Sequence, residues 1–185
     1  MIYLIRHGLD DENYIGGYSN VELIEEGIKQ ANEAGLWLKE NVKDINMIYT
    51  SDVKRAIQTS EIINNYLNLD ILLKKELREL DKGLLNGMDK EQAKIIYLEY
   101  MQNIDINTKY PNGESMVDLY NRIKVLLNEL KKYDNSLLVT HRGVINMIYT
   151  ILNNDVLTMD KEKYNVTHAS IHELDLYKKM IKRIK

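Results

Sequence analysis

The sequence predicts a three-layer α/β protein, an αβα sandwich with a mixed, mostly parallel sheet between helices. Two short apolar runs, Met1–Ile5 and Ser136–Thr140, each stop at a polar cluster with a histidine and a glycine, Arg6-His7-Gly8 and Thr140-His141-Arg142-Gly143. Buried strands that end this way suit a sheet whose crevice, at the strands' carboxyl ends, collects ligand groups. Between the two runs, strand-like and helix-like patterns alternate. The tail, from Val166 to Ile184, alternates enough for two more strands.

Taken in order, Met1–Ile5 reads as a buried strand, followed by a polar loop through Gly16-Gly17. Leu23, Ile24, Ile28, Ala31, Ala34, Leu36 and Leu38 then keep roughly helical spacing as far as Asn41. Ile45–Tyr49 reads as a strand ending at Thr50-Ser51-Asp52. Ser51 or Asp52 is expected to cap a helix whose core face is Ala56, Ile57, Ile63 and Leu67. Ile71–Leu73 fits a short strand, Asp81–Gly87 a loop, Lys90–Met101 a helix, and Ile104–Gly113 a loop with the only proline, Pro111. A helix from near Glu114 to Tyr133 turns Met116, Leu119, Ile123, Leu126, Leu127 and Leu130 inward, and Val144–Leu152 looks helical. The hexapeptide Ile45–Thr50 returns unchanged as Ile145–Thr150. The first copy is predicted to be strand, because Ser51-Asp52 ends it, and the second helix, because it follows a strand that has just finished.

Bulk properties narrow the function classes. With 185 residues, 44% of them apolar, the chain suits one domain with a full core. No stretch reaches the roughly 18 apolar residues of a membrane span, and no signal-peptide pattern opens the chain, so cytoplasmic residence without membrane association is expected. The absence of cysteine removes disulfides, thiolate ligands and thiol nucleophiles. A net charge of −3 gives no global attraction to nucleic acid, so an anionic ligand must be met by a local positive cluster, which favours a small anion. The basic tail residues Lys178, Lys179, Lys182, Arg183 and Lys185 read as protection of an edge strand. His168 and His172 have a metal-ligand offset but lack a convincing third partner, and read as ordinary strand residues with no metal site.

Leu4-Ile5-Arg6-His7-Gly8 with Asn13, the segment Gly17–Gly27 with Gln30-Ala31, Thr50–Thr59, Glu76–Gly87, Pro111–Ser115 and Val139–Ile145 together resemble the motifs of the histidine phosphatase superfamily, the phosphoglycerate mutase-like family. They occur in family order over nearly the whole chain. The resemblance implies a phosphatase needing no cofactor, with His7 as nucleophile, His141 as a donor to the transferring phosphoryl group and Glu79 as proton donor to the leaving group. It also implies phosphate contacts from Arg6, Arg55, Asn13 and the backbone at Gly17. The chemistry agrees with those residue types. Arginine's planar fork gives parallel charge-assisted bonds to phosphate oxygens. A neutral imidazole offers one lone pair to phosphorus when a backbone carbonyl holds the proton on its other nitrogen. A carboxyl group in a partly closed site can protonate a departing alkoxide.

Three departures from the family pattern stand out: Leu9-Asp10 replaces an acidic residue followed by Ser or Thr, Arg142 stands where glycine is common, and Asn20 replaces Asp. The expected substrate is a small phosphorylated metabolite. The alternatives are a cofactor-dependent phosphoglycerate mutase and a non-catalytic phosphate-binding or interaction module. Leu80 stands where the mutases have Arg, and the loops are expected to lack the extra basic residues of a second phosphate site, which favours hydrolysis. Retention of Arg6, His7, Arg55 and His141 favours catalysis over binding alone.

Overall fold

The two apolar runs become neighbouring strands at the centre of one sheet. In a computed structural model, which describes residues 1–185, the elements are β1 (Ile2–Arg6), α1 (Glu25–Asn41), β2 (Met47–Thr50), α2 (Lys54–Leu67), β3 (Ile71–Leu73), α3 (Lys90–Ile96), α4 (Leu98–Asn103), α5 (Met116–Glu129), β4 (Ser136–Thr140), α6 (Arg142–Leu152), β5 (Ile171–Asp175) and β6 (Met180–Arg183). The strand order is β3-β2-β4-β1-β5-β6. The first four of these are mutually parallel, while β5 runs antiparallel to β1 and β6 antiparallel to β5. The mixed, mostly parallel sheet is thus present, with its antiparallel part at one edge. No helix is long and apolar enough to cross a membrane.

Alternation along the central strands fills both faces. Ile2, Leu4 and Leu138 point to α5 and α6, meeting Leu119, Ile123, Val144, Ile145 and Ile148. Tyr3, Ile5, Leu137 and Val139 point the other way, to Ala34 and Leu38 of α1 and Ala56 and Ile63 of α2. Side chains alternate sides along a strand, so a strand covered on both faces reads as a continuous apolar run, which is how β1 and β4 appear in the sequence. Truncating one of these fully buried leucines to alanine would cost about 2–5 kcal/mol.

Several local expectations are corrected. Ile24, Ile28 and Leu36 are more than two-fifths exposed, while Ala31, Ala34 and Leu38 are buried as expected and Gly27 and Gly35 join them. Small residues win that face because α1 lies close on α2: a side chain at Gly35 would meet the Tyr66 ring at 2.5 Å. The expected caps of α2 are employed elsewhere. Val53 occupies the N-cap without a side-chain bond, while Asp52 pairs with Arg78 and Ser51 turns to His141. The helix expected over Lys90–Met101 breaks at Tyr97 into α3 and α4. The helix expected from near Glu114 is present and starts at Met116, after Ser115, where Ser115 and Asp118 make a reciprocal capping box. The tail enters the sheet only at Ile171; residues 167–170 form a turn with Ala169 at φ 53°, and His168 lies in this turn, outside any strand.

Both conformations of the hexapeptide occur as expected. Met47–Thr50 of the first copy is β2, and the second copy lies wholly within α6. In β2 every second side chain is buried, whereas in α6 all six positions are buried between sheet and neighbouring segments. Tertiary context decides between them.

Candidate active site

Parallel register brings the two histidines together. Arg6 lies opposite Thr140, so β1 and β4 end at one level, and the His7 amide donates to the Thr140 carbonyl at 3.0 Å. The same edge receives the end of β2, where the Ser51 amide donates to Val139 O at 2.9 Å. The imidazole centroids of His7 and His141 are 5.1 Å apart. Both rings are buried, and burial first, then the Arg55 guanidinium, holds both well below the ordinary histidine pKa. They are therefore neutral at physiological pH.

Hydrogen bonds assign different duties to the two rings. His7 Nδ1 is 2.7 Å from the Gly8 carbonyl, an acceptor only, so Nδ1 carries the proton and the Nε2 lone pair faces the cavity. Arg55 Nε donates to that lone pair at 3.1 Å. His141 is held by side chains: Nε2 lies 2.9 Å from Ser51 Oγ and Nδ1 3.2 Å from Arg55 Nη2. A serine hydroxyl serves as donor or acceptor, so the His141 proton is free to sit on Nδ1, facing an anion, once Arg55 turns to that anion.

Arg55 comes from the first turn of α2 and is 2% exposed. Its Nη2 donates to Gly17 O at 2.9 Å, its Nη1 to Ser19 Oγ at 3.3 Å, and its Nε lies 3.4 Å from the Asp10 carboxylate. Gly17 is thus brought to the site, at φ 72°, in contact with Arg55 through its carbonyl; a side chain there would strike Asn86 Oδ1 at 2.2 Å. Arg6 donates through Nη1 to Val166 O at 2.9 Å and through Nη2 to His168 Nε2. Its Nε is buried without a partner. A buried guanidinium N–H at the edge of a cavity is suited to donate to an acceptor oxygen. Burial and the nearby Arg142 bring Arg6 down to about 10, which leaves it charged.

Glu79 reaches the site from the segment after the 3-10 turn Lys75–Leu77. Its Oε2 accepts from the Gly143 amide at 3.1 Å, in the first turn of α6. Gly143 permits this, because a side chain at that position would lie 2.1 Å from Glu79 Oε1. The segment is clamped by Arg122 of α5, which donates to Glu79 O and Arg78 O at 3.0 and 3.1 Å and grips Glu114 with two bonds. Glu114 in turn accepts from the Asp81 amide at 3.0 Å. Pro111–Ser115 matters because it carries this strut. Gln30, Gln58 and Thr59 have a similar function, accepting from the amides of Leu9, Leu23 and Gly8 and pinning the loop over the site.

Asn13 is not brought to the cluster. Its side chain is exposed, its amide donates to Asp11 Oδ1, and its carbonyl accepts from Lys90 N. Conversely, His168 is an unexpected member. Its ring centroid is 5.7 Å from that of His7, edge-on, and burial with the Arg6 charge brings its pKa down to about 3. Asp10 also faces inward, raised above the ordinary carboxylate pKa by burial against the opposing pull of Arg55. His7, Asp10 and His168 offer three ligand atoms within 4.8 Å of one another, a spacing suited to a cation. Arg6 and Arg55 already bond His168 and His7, however, so their charges oppose one. His172 is unavailable as a ligand, since Tyr149 Oη lies 2.9 Å from its Nδ1 and Ser170 Oγ 2.9 Å from its Nε2.

The cavity above these groups, of about 290 Å³, is lined by Arg6, His7, Asp10, Gly17, Arg55 and Glu79 at its base. Met101 of α4 and Tyr110, from the expected helix over Lys90–Met101 and the loop over Ile104–Gly113, also line it. Lys82, Lys90, Lys94, Arg142 and Lys161 complete the wall, which corrects the expectation of loops without additional basic residues. They come from four separate stretches of chain, so no basic run announces them.

A family model of the histidine phosphatase superfamily (branch 1) matches residues 2–184. The fructose-2,6-bisphosphatase of Saccharomyces cerevisiae is 35% identical over 160 residues, covering 83% of this chain and 34% of the yeast protein. An "Uncharacterized phosphatase PhoE" of Bacillus subtilis is 35% identical over 155 residues, 80% of this chain and 75% of its own. A "Probable phosphoglycerate mutase GpmB" of Proteus mirabilis is 36% identical over 156 residues, 76% of this chain and 68% of its own. The chain thus spans about a third of the length of the fructose-2,6-bisphosphatase relatives that it matches. Among solved structures, the α-ribazole phosphatase of Shigella flexneri superposes with a TM-score of 0.80 at 21% identity, covering 98% of this chain and 93% of that one. At that identity the likeness shows the fold.

Proposed function

The chain belongs to the histidine phosphatase superfamily, and on that premise we propose that it is a metal-independent phosphomonoesterase that works through a phosphohistidine on His7. The observation that carries the reading is the His7 imidazole: its Nδ1 proton is given to Gly8 O, and its Nε2 lone pair faces a cavity lined by Arg6 and Arg55, with His141 bonded to Arg55 behind the wall. His7 Nε2 attacks phosphorus while the bond to the alcohol oxygen breaks, and Glu79 gives that oxygen its proton. Water then attacks the phosphohistidine, losing a proton to the Glu79 carboxylate as the P–N bond breaks, which regenerates both residues. Arg6 and Arg55 hold the equatorial oxygens, and His141 with its proton on Nδ1 supplies a further donor. Asn13, exposed and outside the cavity lining, has no part in this reading.

The substrate is a small phosphorylated metabolite, with turnover in the cytoplasm. The relatives named fructose-2,6-bisphosphatase and phosphatase support hydrolysis. The experiment is hydrolysis of an aryl phosphate and a panel of phosphorylated metabolites in EDTA, by the wild type and His7→Ala. Turnover that persists in EDTA and disappears in the variant is the expected result. Turnover abolished by EDTA and restored by a divalent cation would remove metal independence, and turnover retained by His7→Ala would remove the phosphohistidine. If the folded wild type hydrolyses nothing, phosphoryl exchange between phosphoglycerate isomers tests the mutase alternative.

A further inference from the structure

Arg6 and Arg55 line the same cavity but are anchored in different ways. Arg55 has a carboxylate beside it, Asp10, at 3.4 Å. Arg6 bonds only neutral acceptors: Nη1 donates to the Val166 carbonyl at 2.9 Å, and Nη2 donates to His168 Nε2. A guanidinium has no acceptor to offer, so His168 Nε2 must present its lone pair and the ring proton sits on Nδ1. Burial, and then the Arg6 charge, bring His168 down to about 3, so the ring is neutral at physiological pH. The Asp10 carboxylate, 3.9 Å from the same nitrogen, is beyond hydrogen-bond reach.

The turn that carries His168 also holds the Arg6 backbone. Ala169 N donates to Arg6 O at 3.1 Å and Arg6 N to Ser170 O at 3.3 Å, so main chain and side chain of Arg6 are gripped by one short stretch. Ala169 keeps φ at 53°, a left-handed conformation that a residue with a Cβ retains only where its surroundings enforce it. Part of the enforcement comes from Ser170, whose Oγ donates to Thr167 O at 2.7 Å. With that proton spent, His172 Nε2 donates to Ser170 Oγ at 2.9 Å, and His172 Nδ1 accepts from Tyr149 Oη at 2.9 Å. The position of the His168 ring is therefore set by a chain of bonds that reaches back to α6.

We propose that His168 is a positioning residue for Arg6: a neutral acceptor that, with Val166 O, fixes the guanidinium so that Nε and the remaining Nη hydrogens meet the phosphoryl oxygens with their charge undiminished. A carboxylate in place of the imidazole would align the fork equally well but pair with it, and phosphate would have to compete with that pair. The inference rests on the phosphatase reading for the identity of the anion that Arg6 meets.

The test compares wild type with His168→Leu, His168→Gln and His168→Glu, each alone and together with Arg6→Gln. For nitrophenyl phosphate, kcat/KM should fall about ten- to hundredfold in His168→Leu, the effect of a reacting group's partner losing its alignment. It should recover to within about threefold of wild type in His168→Gln, whose amide oxygen replaces the Nε2 lone pair. His168→Glu should bind inorganic phosphate about tenfold more weakly than His168→Gln, the size of one charge-assisted hydrogen bond. Beside Arg6→Gln, none of the three should change kcat/KM by more than about twofold, because His168 acts through Arg6. Equal losses in the Leu and Gln variants, or losses that persist in full beside Arg6→Gln, would reduce His168 to a support of its turn. Equal phosphate binding by the Gln and Glu variants would overturn the need for a neutral acceptor, and this comparison still decides if His168→Leu does not fold by circular dichroism. Calorimetric titration with inorganic phosphate reads Arg6 without turnover. If the wild type hydrolyses nothing while phosphate binding follows the order given, the phosphatase reading fails and the positioning stands; hydrolysis indifferent to all three substitutions has the opposite meaning.

Discussion

The ends of β1 and β4 look alike in sequence and are built differently. At the end of β1, backbone holds the ring: the Gly8 carbonyl keeps the His7 proton on Nδ1. At the end of β4, side chains hold it: Ser51 and Arg55 engage the two nitrogens of His141. A carbonyl cannot change sides as donor, so the His7 lone pair is permanent. A hydroxyl can, so the His141 proton is able to move. A nucleophile needs the first arrangement, and a group that accepts from arginine when empty and donates to phosphate when occupied needs the second.

The comparison breaks first at the nucleophile. His7→Ala should lose about 10⁴-fold or more in kcat, because no other group can take over bond formation. His141→Ala should lose about 10²–10³-fold, the effect of one donor to the transferring group. Acid-labile phosphoprotein, trapped by rapid quench, should be absent from the first variant and present in the second. The reverse pattern would exchange the two roles. Arg55→Lys should lose a similar 10²–10³-fold, since a point charge cannot serve Gly17 O, both histidines and phosphate together.

Finer differences follow. Ser51→Ala removes the group that lets His141 change its proton, and should cost about tenfold in kcat/KM with the fold intact by circular dichroism. An unchanged kcat/KM would show that the hydroxyl is dispensable. Arg122→Lys should lower kcat for alkyl phosphates by about tenfold but leave nitrophenyl phosphate much less affected, because nitrophenolate leaves without a proton. Equal losses on both would make Arg122 a structural residue only, with no specific bearing on Glu79.

The smallest effect is on stability. His7, His141, His168 and His172 all have depressed folded-state pKa values, the last two at about 3 and about 4. Below the unfolded pKa of about 6.5 the unfolded chain binds more protons than the folded one, so their contribution is complete above that pH and is lost as pH falls from 6.5 towards 4. The melting temperature should therefore drop steadily between pH 7 and pH 4.5. A flat profile over that interval would mean that the rings accept protons without leaving the folded state.

Much of the fold was legible because periodicity reports burial directly. β1, β4 and α5 bury the residues whose spacing marks them, and the repeated hexapeptide took the two predicted forms from its flanks alone. The misassigned part of the α1 face has the opposite cause: Ala31, Ala34 and Leu38 were marked and are buried, but Gly35 carries no hydrophobic signal, yet close helix contact selects it over the more apolar Ile28 and Leu36. Ser51 and Asp52 have the composition of caps, but their partners, His141 and Arg78, are distant in sequence and outcompete the local bond.

At the site, residues joined to a motif could be named and residues supplied singly could not. His168 and Lys161 each come from a turn or loop without a pattern, and Lys82, though inside the Glu76–Gly87 motif, had no role there to mark it. The only signal for Arg142 and Asp10 was that they depart from the family's usual residue. Arg122 gave none, because one arginine on a helix looks like a solvated charge. Asn13 shows the limit in the other direction: its position resembled the motif, but the loop turns its side chain to solvent.

The Asp10 carboxylate beside Arg55 has a consequence for product departure. A site lined only by cations and neutral donors would retain the inorganic phosphate it had made, and turnover would wait on its escape. On the proposed phosphatase reading, a resident carboxylate ready to rejoin the guanidinium would replace the leaving dianion as it goes, so each cycle would end with Arg55 already re-paired and the product would dwell for a shorter time at the expense of binding strength.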